Sequence, residues 1–258
     1  MACITLLSDF GTKDATAAIV RGILMQQNPH LPIYDITHDV IPYNISQAAY
    51  FLKSAYSYYP KGTIHIILCG IFMTKEPSLT ISSYNGHYFV CTNNGIIPIA
   101  LEGHVLESWI FPNLDRNDTF TSWIKSTGKL IKKLPLTGAD NNGLKKIELL
   151  GTNKPATNKI ISSNIEVIHI DQFENVVLNI NQEQFYDITY NMPFKLQFMK
   201  VEEIREISTN YSDVREGYKL ARFNSNGYLE IGINKGKAAS LFGLRLGSKN
   251  NEIKIILE

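Results

Sequence analysis

The sequence lacks a strong charge of either sign. Its 258 residues include 25 Lys or Arg and 24 Asp or Glu, which gives a formal net charge of +1 at pH 7. The basic residues are scattered along the chain and form no cluster of the kind that binds nucleic acid or an anionic membrane. We therefore expect neither nucleic acid nor membrane among the partners of this protein.

Long hydrophobic runs and cysteines are also scarce. The longest apolar stretch, residues 64–73, is shorter than the roughly 20 residues that a transmembrane helix needs. The N-terminus has no basic leader, so no signal peptide is predicted. Cys3, Cys69 and Cys91 are widely spaced without a CxxC pair, which favours buried thiols in a reducing compartment. These absences predict a soluble cytoplasmic protein.

Motifs that hold metals or phosphate groups are missing as well. There is no HxH, HExxH or His/Cys cluster, so we expect no metal site. There is no Walker or GxGxxG loop, so we expect no phosphate cradle and no bound cofactor. Isolated histidines such as His38 and His65 are more typical of structural residues than of ligands.

The first half of the chain alternates apolar runs with helical patterns. Strands are predicted at 3–8, 31–37, 64–69 and 88–92, and helices at 14–29 and 44–60. Asn44 and Gln47 are placed as the start of a capping box for the second helix. This alternation predicts an α/β fold in which a mostly parallel sheet is flanked by helices.

Near residue 150 the composition changes. Polar residues and a proline predict a linker at 151–164, between an α/β domain (1–150) and a second domain (165–258). Short strands are predicted in the second domain at 165–170, 175–180, 227–233 and 252–257. The second domain is therefore predicted to be a smaller antiparallel β domain.

Three polar clusters follow predicted strands of the first domain: "SDFGTKD" (8–14), "ITHDVIPYN" (36–44) and "TNNG" (92–95). In open parallel sheets, ligands bind beyond the carboxyl ends of the strands. A carboxylate there can accept from both hydroxyls of a vicinal diol, which makes Asp9 a candidate for holding a ribose. The local pattern alone favours another interpretation, in which Asp9 and Asp14 form a turn and a helix N-cap.

Six longer segments resemble one protein family in their order and spacing. They are "LLSDFGTKD" (6–14), "ITHDVIPYNISQAAYFL" (36–52), "YYPKGTIHI" (58–66), "YFVCTNNG" (88–95), "IDQFENVVLNI" (170–180) and "NSNGYLEIGINKGKAA" (224–239). The family is that of the S-adenosyl-L-methionine hydroxide adenosyltransferases, the adenosine-forming hydrolases that are relatives of fluorinase and chlorinase. The resemblance extends over essentially the whole chain.

The resemblance implies a displacement at C5′ of the adenosyl group of S-adenosylmethionine. Water, or a halide in the halogenases, displaces methionine without a metal, because the sulfonium is already a good leaving group. The protein holds ribose, methionine and nucleophile in line. The resemblance also implies a homotrimer, in which each site forms between the first domain of one subunit and the second domain of its neighbour.

Four residues of the first domain match positions of the family that bind the ligand. The resemblance implies that Asp9 holds the ribose diol, with Asp14 nearby. It also implies that Tyr43 lies along the sugar and that Thr119 of "TFTS" is a polar contact beside the reacting carbon. From the residues alone, Tyr43 after a proline is more typical of a packed loop aromatic.

Five residues of the second domain match in the same way. The resemblance implies that Asp171 and Asn175 of "DQFEN" hold the methionine amino group. It implies that Ser225 of "NSNG" meets the methionine carboxylate, and that the backbone around Asn234 and Lys235 meets the adenine edge.

The residues that position water in the hydrolytic members of the family do not match. Those members carry an Asp that opens a "DPGVG" turn, an Arg about seven residues later and a His in "TFHG". Here Gly70 stands at the Asp position and Thr121 at the His position. The Arg position falls near Pro77, with Lys75 as the nearest cation. Without a base, attack by water loses a typical ~10²–10⁴-fold in rate.

Further departures surround the same positions. Phe72 and Met73 are bulkier than the residues they replace and would fill the nucleophile pocket, although ordinary packing explains them equally well. Glu174 replaces a glycine and is expected to reshape its turn if that glycine needs a positive φ. Ser122 matches a halide-binding serine of the halogenases, but the bulky turn argues against a halide pocket.

The sequence is consistent with two alternative functions. The favoured one is binding of an adenosyl ligand with weak or lost hydrolysis of S-adenosylmethionine to adenosine and methionine. The alternative is an active hydrolase in which Lys75 or another group replaces the triad. A halogenase that uses Ser122 is disfavoured.

Overall fold

The computed structural model describes residues 2–71, 79–104, 107–110, 120–132, 134, 144–149 and 165–258. The chain forms two compact units, Met1–Pro155 and Ala156–Glu258. The predicted linker at 151–164 lies outside the described residues.

In the described part of the first unit, seven strands form one sheet. They are β1 (Ile4–Ser8), β2 (Ile33–Thr37), β3 (Ile64–Leu68), β4 (Leu79–Tyr84), β5 (His87–Thr92), β6 (Glu107–Ile110) and β7 (Lys145–Lys146). Their order is β2-β1-β3-β5-β4-β6-β7. The strands β2, β1, β3 and β5 are parallel to one another. The pairs β5–β4, β4–β6 and β6–β7 are antiparallel. β1 and β3 are buried throughout, which explains their continuous apolar sequences.

Helices cover both faces of this sheet. They are α1 (Thr16–Gln27), α2 (Ile45–Tyr56), α3 (Ile96–Ala100) and α4 (Phe120–Ile131). Helices α1 and α4 pack in one hydrophobic cluster with Leu6 of β1, whereas α2 and α3 pack in another with Leu7. The division follows from the strand itself, because successive side chains of a strand point to opposite faces.

The start of α2 agrees with its predicted cap in part. Asn44 Oδ1 accepts a hydrogen bond from Gln47 N at 3.0 Å, as a capping residue should. Gln47 does not return the bond to Asn44. Its Oε1 instead accepts from Ile41 N at 2.8 Å, which ties the loop before α2 to the helix.

The described part of the second unit is mostly antiparallel. Its strands are β8 (Val167–Ile170), β9 (Val176–Asn181), β10 (Phe194–Phe198), β11 (Glu202–Ile204), β12 (Ile207–Ser208), β13 (Lys219–Phe223), β14 (Tyr228–Ile233) and β15 (Lys254–Leu257). Two short helices accompany them, α5 (Gln182–Thr189) and α6 (Ala238–Phe242). One sheet has the order β12-β13-β14-β9-β8 and the other β11-β10-β15. Phe185, Phe198 and Ile231 lie in their common core.

The predicted fold class is confirmed: a mostly parallel sheet with helices, followed by an antiparallel β unit. The predicted buried thiols are confirmed too, since Cys3, Cys69 and Cys91 are buried and form no disulfide. The sequence analysis missed β4, β6, β7 and β10 to β13, which are short or half-polar. No helix in the described ranges has the length and apolar character needed to cross a membrane.

Candidate functional site

The three polar clusters of the first unit lie at one edge of its sheet. Helix α1 leads from β1 to β2 on one side, whereas the chain after β3 continues to strands on the other side. The adjacent carboxyl ends of β1 and β3 therefore form a topological switch point, where α/β proteins bind ligands. Asp9 follows β1 and Gly70 follows β3. Asn94 of the third cluster donates from Nδ2 to the carbonyl oxygen of Cys69 at 3.0 Å.

Asp9 joins three loops through one carboxylate oxygen. Its Oδ2 accepts hydrogen bonds from Tyr43 N at 3.0 Å and from Gly70 N at 3.1 Å. Among the described residues, none donates a hydrogen bond to Oδ1. Asp9 thus forms a turn, as the local pattern predicts, and still has one oxygen that can accept from a hydroxyl group.

Both backbone amides that bind Asp9 belong to residues in the left-handed region. Gly70 has φ 62° and Tyr43 has φ 64°. Glycine adopts this conformation readily, whereas for tyrosine it costs about 1–3 kcal/mol, which the bond to Asp9 helps to offset. Tyr43 is 62% exposed, so it is not a packed loop aromatic, and its ring is accessible to a ligand.

A row of polar side chains supports the loop that follows β1. Ser8 Oγ lies 2.7 Å from His38 Nδ1, and His38 Nε2 lies 3.2 Å from Asp35 Oδ1. Asp35 also pairs with Arg21 of α1. Partial burial raises the pKa of Asp35, but the hydrogen bonds from Arg21 and His38 outweigh it and hold that pKa below its ordinary value. His38 is buried between these partners, which agrees with its interpretation as a structural residue.

Asp14 lies at the entry to α1. Its Oδ1 accepts a hydrogen bond from Thr16 N at 2.8 Å, and this bond lowers the pKa of the exposed carboxyl group. The local pattern predicted Asp14 as the N-cap residue, but in the structure the N-cap residue is Ala15. Asp14 therefore lies one residue before the N-cap and still accepts from the first turn of the helix. Asp14 thus acts as a capping residue of α1 through its bond to Thr16 N.

Several predicted residues cannot be placed. Thr119 lies outside the described residues, and so do the positions of the altered turn after Ile71, which include Phe72, Met73, Lys75 and Pro77. Thr121 and Ser122 are described, and both lie partly buried in the first turn of α4. Among the described residues, no group of three or more His, Cys, Asp and Glu side chains is arranged to hold a metal ion.

In the second unit, Asp171 closes the turn between β8 and β9. Its Oδ1 accepts from Phe173 N at 2.9 Å and from Asn175 N at 2.8 Å. Its Oδ2 accepts from Asn175 Nδ2 at 3.0 Å. The structure therefore brings the predicted pair Asp171 and Asn175 together, and Asp171 fixes the side chain of Asn175 as well as its backbone.

Glu174 occupies the left-handed region that the glycine prediction anticipated, with φ 63°. The turn nevertheless closes, since Glu174 N donates to the carbonyl oxygen of Asp171 at 3.0 Å. The Glu174 carboxylate accepts from Ser240 N at 3.0 Å and pairs with Lys237 Nζ at 3.0 Å. The hydrogen bonds from Ser240 and Lys237 lower the pKa of Glu174. The strained residue is thus held by α6 and by the residue before it.

The other predicted residues of the second unit lie in two loops. Ser225 is exposed in the turn between β13 and β14. Asn234 donates from its backbone amide to Tyr218 O at 3.0 Å and accepts at its carbonyl from Gly217 N at 2.8 Å. Lys235 is left-handed, with φ 53°, and its Nζ lies 2.9 Å from Glu216 Oε2. Among the described residues, no backbone hydrogen bond engages the amide or the carbonyl of Lys235, so these peptide groups are able to meet a ligand.

The sequence analysis missed Tyr211 and Glu230, which form a hydrogen-bonded chain with Asn175. Asn175 Nδ2 lies 3.1 Å from Tyr211 Oη, and Tyr211 Oη lies 2.5 Å from Glu230 Oε1. Glu230 lies between core residues of β14, at a position where a period-two strand predicts a solvent-facing polar side chain. It is only 4% exposed, which no local pattern indicates.

Comparison with known proteins points to one family. Residues 4–125 match the family model described as SAM hydroxide adenosyltransferase N-terminal domain, and residues 165–250 match that of the C-terminal domain. An (R)-S-adenosyl-L-methionine hydrolase of Methanocaldococcus jannaschii is 27% identical over 253 residues, which covers 93% of this chain and 92% of that protein. A protein of the same name from Thermus thermophilus is 22% identical, with 95% and 96% covered.

A solved structure gives the same picture of the fold. An uncharacterized conserved protein from Thermotoga maritima is similar with a TM-score of 0.77 and 25% sequence identity. The similarity covers 98% of this chain and 99% of that chain. Both units of the present chain therefore have counterparts in one known architecture.

Proposed function

Because the chain belongs to the SAM hydroxide adenosyltransferase family, we propose that it binds an adenosyl ligand, either S-adenosylmethionine or adenosine. Asp9 accepts from the ribose diol, and Tyr43 lies beside the sugar. The turn that contains Asp171 and Asn175 serves the methionine amino group. No metal or cofactor is required, because the sulfonium of S-adenosylmethionine is activated already.

The Asp9 carboxylate is the observation that carries this proposal. It stands at the switch point of the parallel sheet, where ligands of α/β proteins bind. Its Oδ2 is fixed by Tyr43 N and Gly70 N, so Oδ1 is held in one orientation. A fixed acceptor in a loop of left-handed residues suits a hydroxyl group of a sugar, since its orientation need not be ordered during binding.

We propose further that hydrolysis of S-adenosylmethionine is weak or lost. Gly70 takes the place of the water-positioning Asp of the family, and its backbone amide is engaged with Asp9. Thr121 takes the place of the His. Glycine has no side chain and the threonine hydroxyl is not a base, and attack by water without general-base help loses a typical ~10²–10⁴-fold in rate.

An active hydrolase is the second candidate, because relatives that cover nearly the whole chain bear the name (R)-S-adenosyl-L-methionine hydrolase. In that case Lys75 or another group positions the water. A halogenase would differ from both by requiring chloride or fluoride for consumption of S-adenosylmethionine, with Ser122 at the halide.

The test is to incubate the purified protein with S-adenosylmethionine and to quantify adenosine by chromatography. The proposal expects calorimetric binding of adenosine, together with adenosine formation at the level of the protein-free control if hydrolysis is lost, or of less than one equivalent if it is weak. Adenosine beyond one equivalent, lost in Asp9→Ala, would establish the hydrolase instead. Absence of binding to both S-adenosylmethionine and adenosine would refute both candidates.

A cytoplasmic homotrimer with its sites between subunits is part of the same proposal and rests on the resemblance. Sedimentation velocity of the purified protein measures its oligomeric state directly. We expect a species of three chains, and a monomer at micromolar concentration would contradict the shared site.

A further inference from the structure

A buried polar chain lies on the far face of the five-stranded sheet in the second unit. Leu229, Ile231 and Ile233 of β14 point into the core, so Glu230 and Gly232 between them face the other side. On that side Glu230 lies opposite Arg222 of β13. The Arg222 guanidinium also lies over the ring of Tyr211, 4.8 Å from its centroid.

The hydrogen bonds of this chain have one direction. Tyr211 Oη donates to Glu230 Oε1 at 2.5 Å. Burial raises the pKa of Glu230, whereas the hydrogen bond from Tyr211 and the charge of Arg222 oppose that rise and favour the carboxylate, which only accepts. Burial and the bond to Glu230 raise the pKa of Tyr211 to about 12, so the hydroxyl keeps its proton and donates it to Glu230. Tyr211 Oη then accepts from Asn175 Nδ2 at 3.1 Å, and the Arg222 side chain also donates to this tyrosine.

This direction fixes the orientation of the Asn175 amide. One hydrogen of Nδ2 goes to Tyr211 Oη at 3.1 Å and the other to Asp171 Oδ2 at 3.0 Å. Both donors of the amide are therefore engaged, and the opposite orientation would bring Oδ1 against an acceptor. Within the described residues, nothing donates to Asn175 Oδ1. A ligand that meets this amide meets an acceptor.

Gly232 provides the space for this arrangement. A Cβ atom at this position would lie 2.9 Å from Asn175 Oδ1 and 3.1 Å from Tyr211 Cε1. The backbone of Gly232 is not in the left-handed region, so the glycine is present for its lack of a side chain. Asn175 and Tyr211 thus share a notch on the face of β14.

We propose that Tyr211 and Glu230 are positioning residues that hold the Asn175 amide with Oδ1 towards the ligand, so that the group recognised there is a hydrogen-bond donor such as an ammonium or an aromatic amine. The proposal rests on the proposed adenosyl ligand, which carries both kinds of donor. It adds the reason for selectivity: an acceptor at the same place would meet Oδ1 and be repelled.

The test is a double-mutant cycle with Tyr211→Phe and Asn175→Ala, read by calorimetry with S-adenosylmethionine and with adenosine. Tyr211→Phe is expected to weaken binding of at least one probe about threefold to tenfold, the value of one net hydrogen bond. In the Asn175→Ala background the same change should have no further effect, because Tyr211 acts through Asn175. Tyr190→Phe, at a 66% exposed tyrosine, is the matched control and should bind as the parent does.

Two results would overturn the proposal: an equal loss from Tyr211→Phe in both backgrounds, or no loss in either. A measurement without ligand distinguishes failure of the positioning role from failure of the proposed adenosyl binding. In the parent protein the two side-chain amide protons of Asn175, assigned by NMR with Asn175→Ala, should both be protected from exchange. Tyr211→Phe should expose one of them, and two unchanged signals would refute the positioning role even if no probe binds.

Discussion

The backbone amide of Gly70 lies 3.1 Å from Oδ2 of Asp9, and this bond links the ends of the two central parallel strands. By the resemblance of the sequence, Gly70 stands where the hydrolytic members of the family carry a water-positioning Asp, so a backbone donor meets Asp9 where those members have a second carboxylate. Asp9 therefore lies beside the backbone amide of residue 70, and this residue brings no negative charge close to the Asp9 carboxylate. With Oδ2 engaged by backbone amides, Oδ1 of Asp9 can accept from a hydroxyl group, as the proposed ribose requires.

Replacing Asp9 should remove recognition of the ribose diol. The parent protein is expected to bind adenosine about 10- to 100-fold more tightly than 2′,3′-dideoxyadenosine, because a hydrogen bond to a charged group contributes roughly 1.5–3 kcal/mol. Asp9→Ala should bind both nucleosides with equal affinity, measured by calorimetry. Asp39→Ala, at an exposed carboxylate of the neighbouring loop, should keep the preference. If Asp9→Ala keeps it as well, the ribose lies elsewhere.

Two glycine substitutions should change stability in opposite directions. Gly70→Ala forces a side chain into the left-handed region at φ 62° and should lower the free energy of unfolding by about 1–2 kcal/mol. Gly22→Ala lies inside α1, where a Cβ would meet nothing within 4 Å. It should raise the free energy of unfolding by about 0.5–1 kcal/mol. Urea denaturation of both variants measures the change in the free energy of unfolding. If Gly70→Ala stabilised the protein, residue 70 would not have the left-handed backbone described here.

The carboxylate of Glu174 should stabilise the protein, and its contribution should exceed the cost of the left-handed backbone at this residue. Glu174→Ala removes the acceptor for Ser240 N and the partner of Lys237 but retains a side chain at φ 63°, so its melting temperature should fall. Glu174→Gly loses the same contacts but relieves the strain, so its melting temperature should fall less. A lower value for glycine than for alanine would contradict this ranking.

The stabilisation from Glu174 should also depend on pH. Because its pKa is lower in the folded protein, the contribution is complete above the ordinary value of 4.5 and is lost as the pH falls through the folded pKa. The difference in melting temperature between the parent and Glu174→Gln should therefore be larger at pH 7 than at pH 3. A constant difference would show that the charge of Glu174 has no effect.

The buried pair His65 and His87 should make the protein sensitive to acid. His65 Nε2 lies 3.2 Å from His87 Nδ1, and Thr5 Oγ1 lies 2.7 Å from His65 Nδ1. Burial and the neighbouring His87 lower the pKa of His65 to about 3, and burial lowers the pKa of His87. The ring of His65 is thus neutral when folded, the ring of His87 binds a proton less readily than in the unfolded chain, and both take up protons on unfolding below the ordinary pKa of 6.5.

The sign follows from linkage: the unfolded chain binds more protons, so stability falls as the pH drops from about 6.5 towards 3. Each histidine contributes a slope of up to about 1.4 kcal/mol per pH unit. His65→Gln should reduce the loss of unfolding free energy between pH 7 and pH 5 by about 2 kcal/mol. His30→Gln, at an exposed histidine, should leave that loss unchanged. An identical pH dependence in His65→Gln and the parent would show that this pair does not govern acid stability.

The sequence was sufficient for the parallel core of the first unit. The runs that became β1 and β3 are apolar at every position but one or two, because both of their faces are covered by helices. The position of Asp9 at the end of such a run also places it at the edge of the sheet where α/β proteins generally bind ligands. β4 was missed because its sequence, "LTISSY", is half polar and its pairing with β5 and β6 is what makes it a strand.

What the sequence by itself determined is therefore the class of fold and the candidate status of Asp9, Asp171 and Asn175. Only the tertiary structure decided which oxygen of Asp9 is engaged, and that Tyr211 and Glu230 orient the amide of Asn175. The physical reason is the separation along the chain of the residues that interact. Periodicity and capping depend on neighbours within a few residues, whereas a hydrogen bond between residues 9 and 70, or 175 and 211, depends on where the folded chain returns.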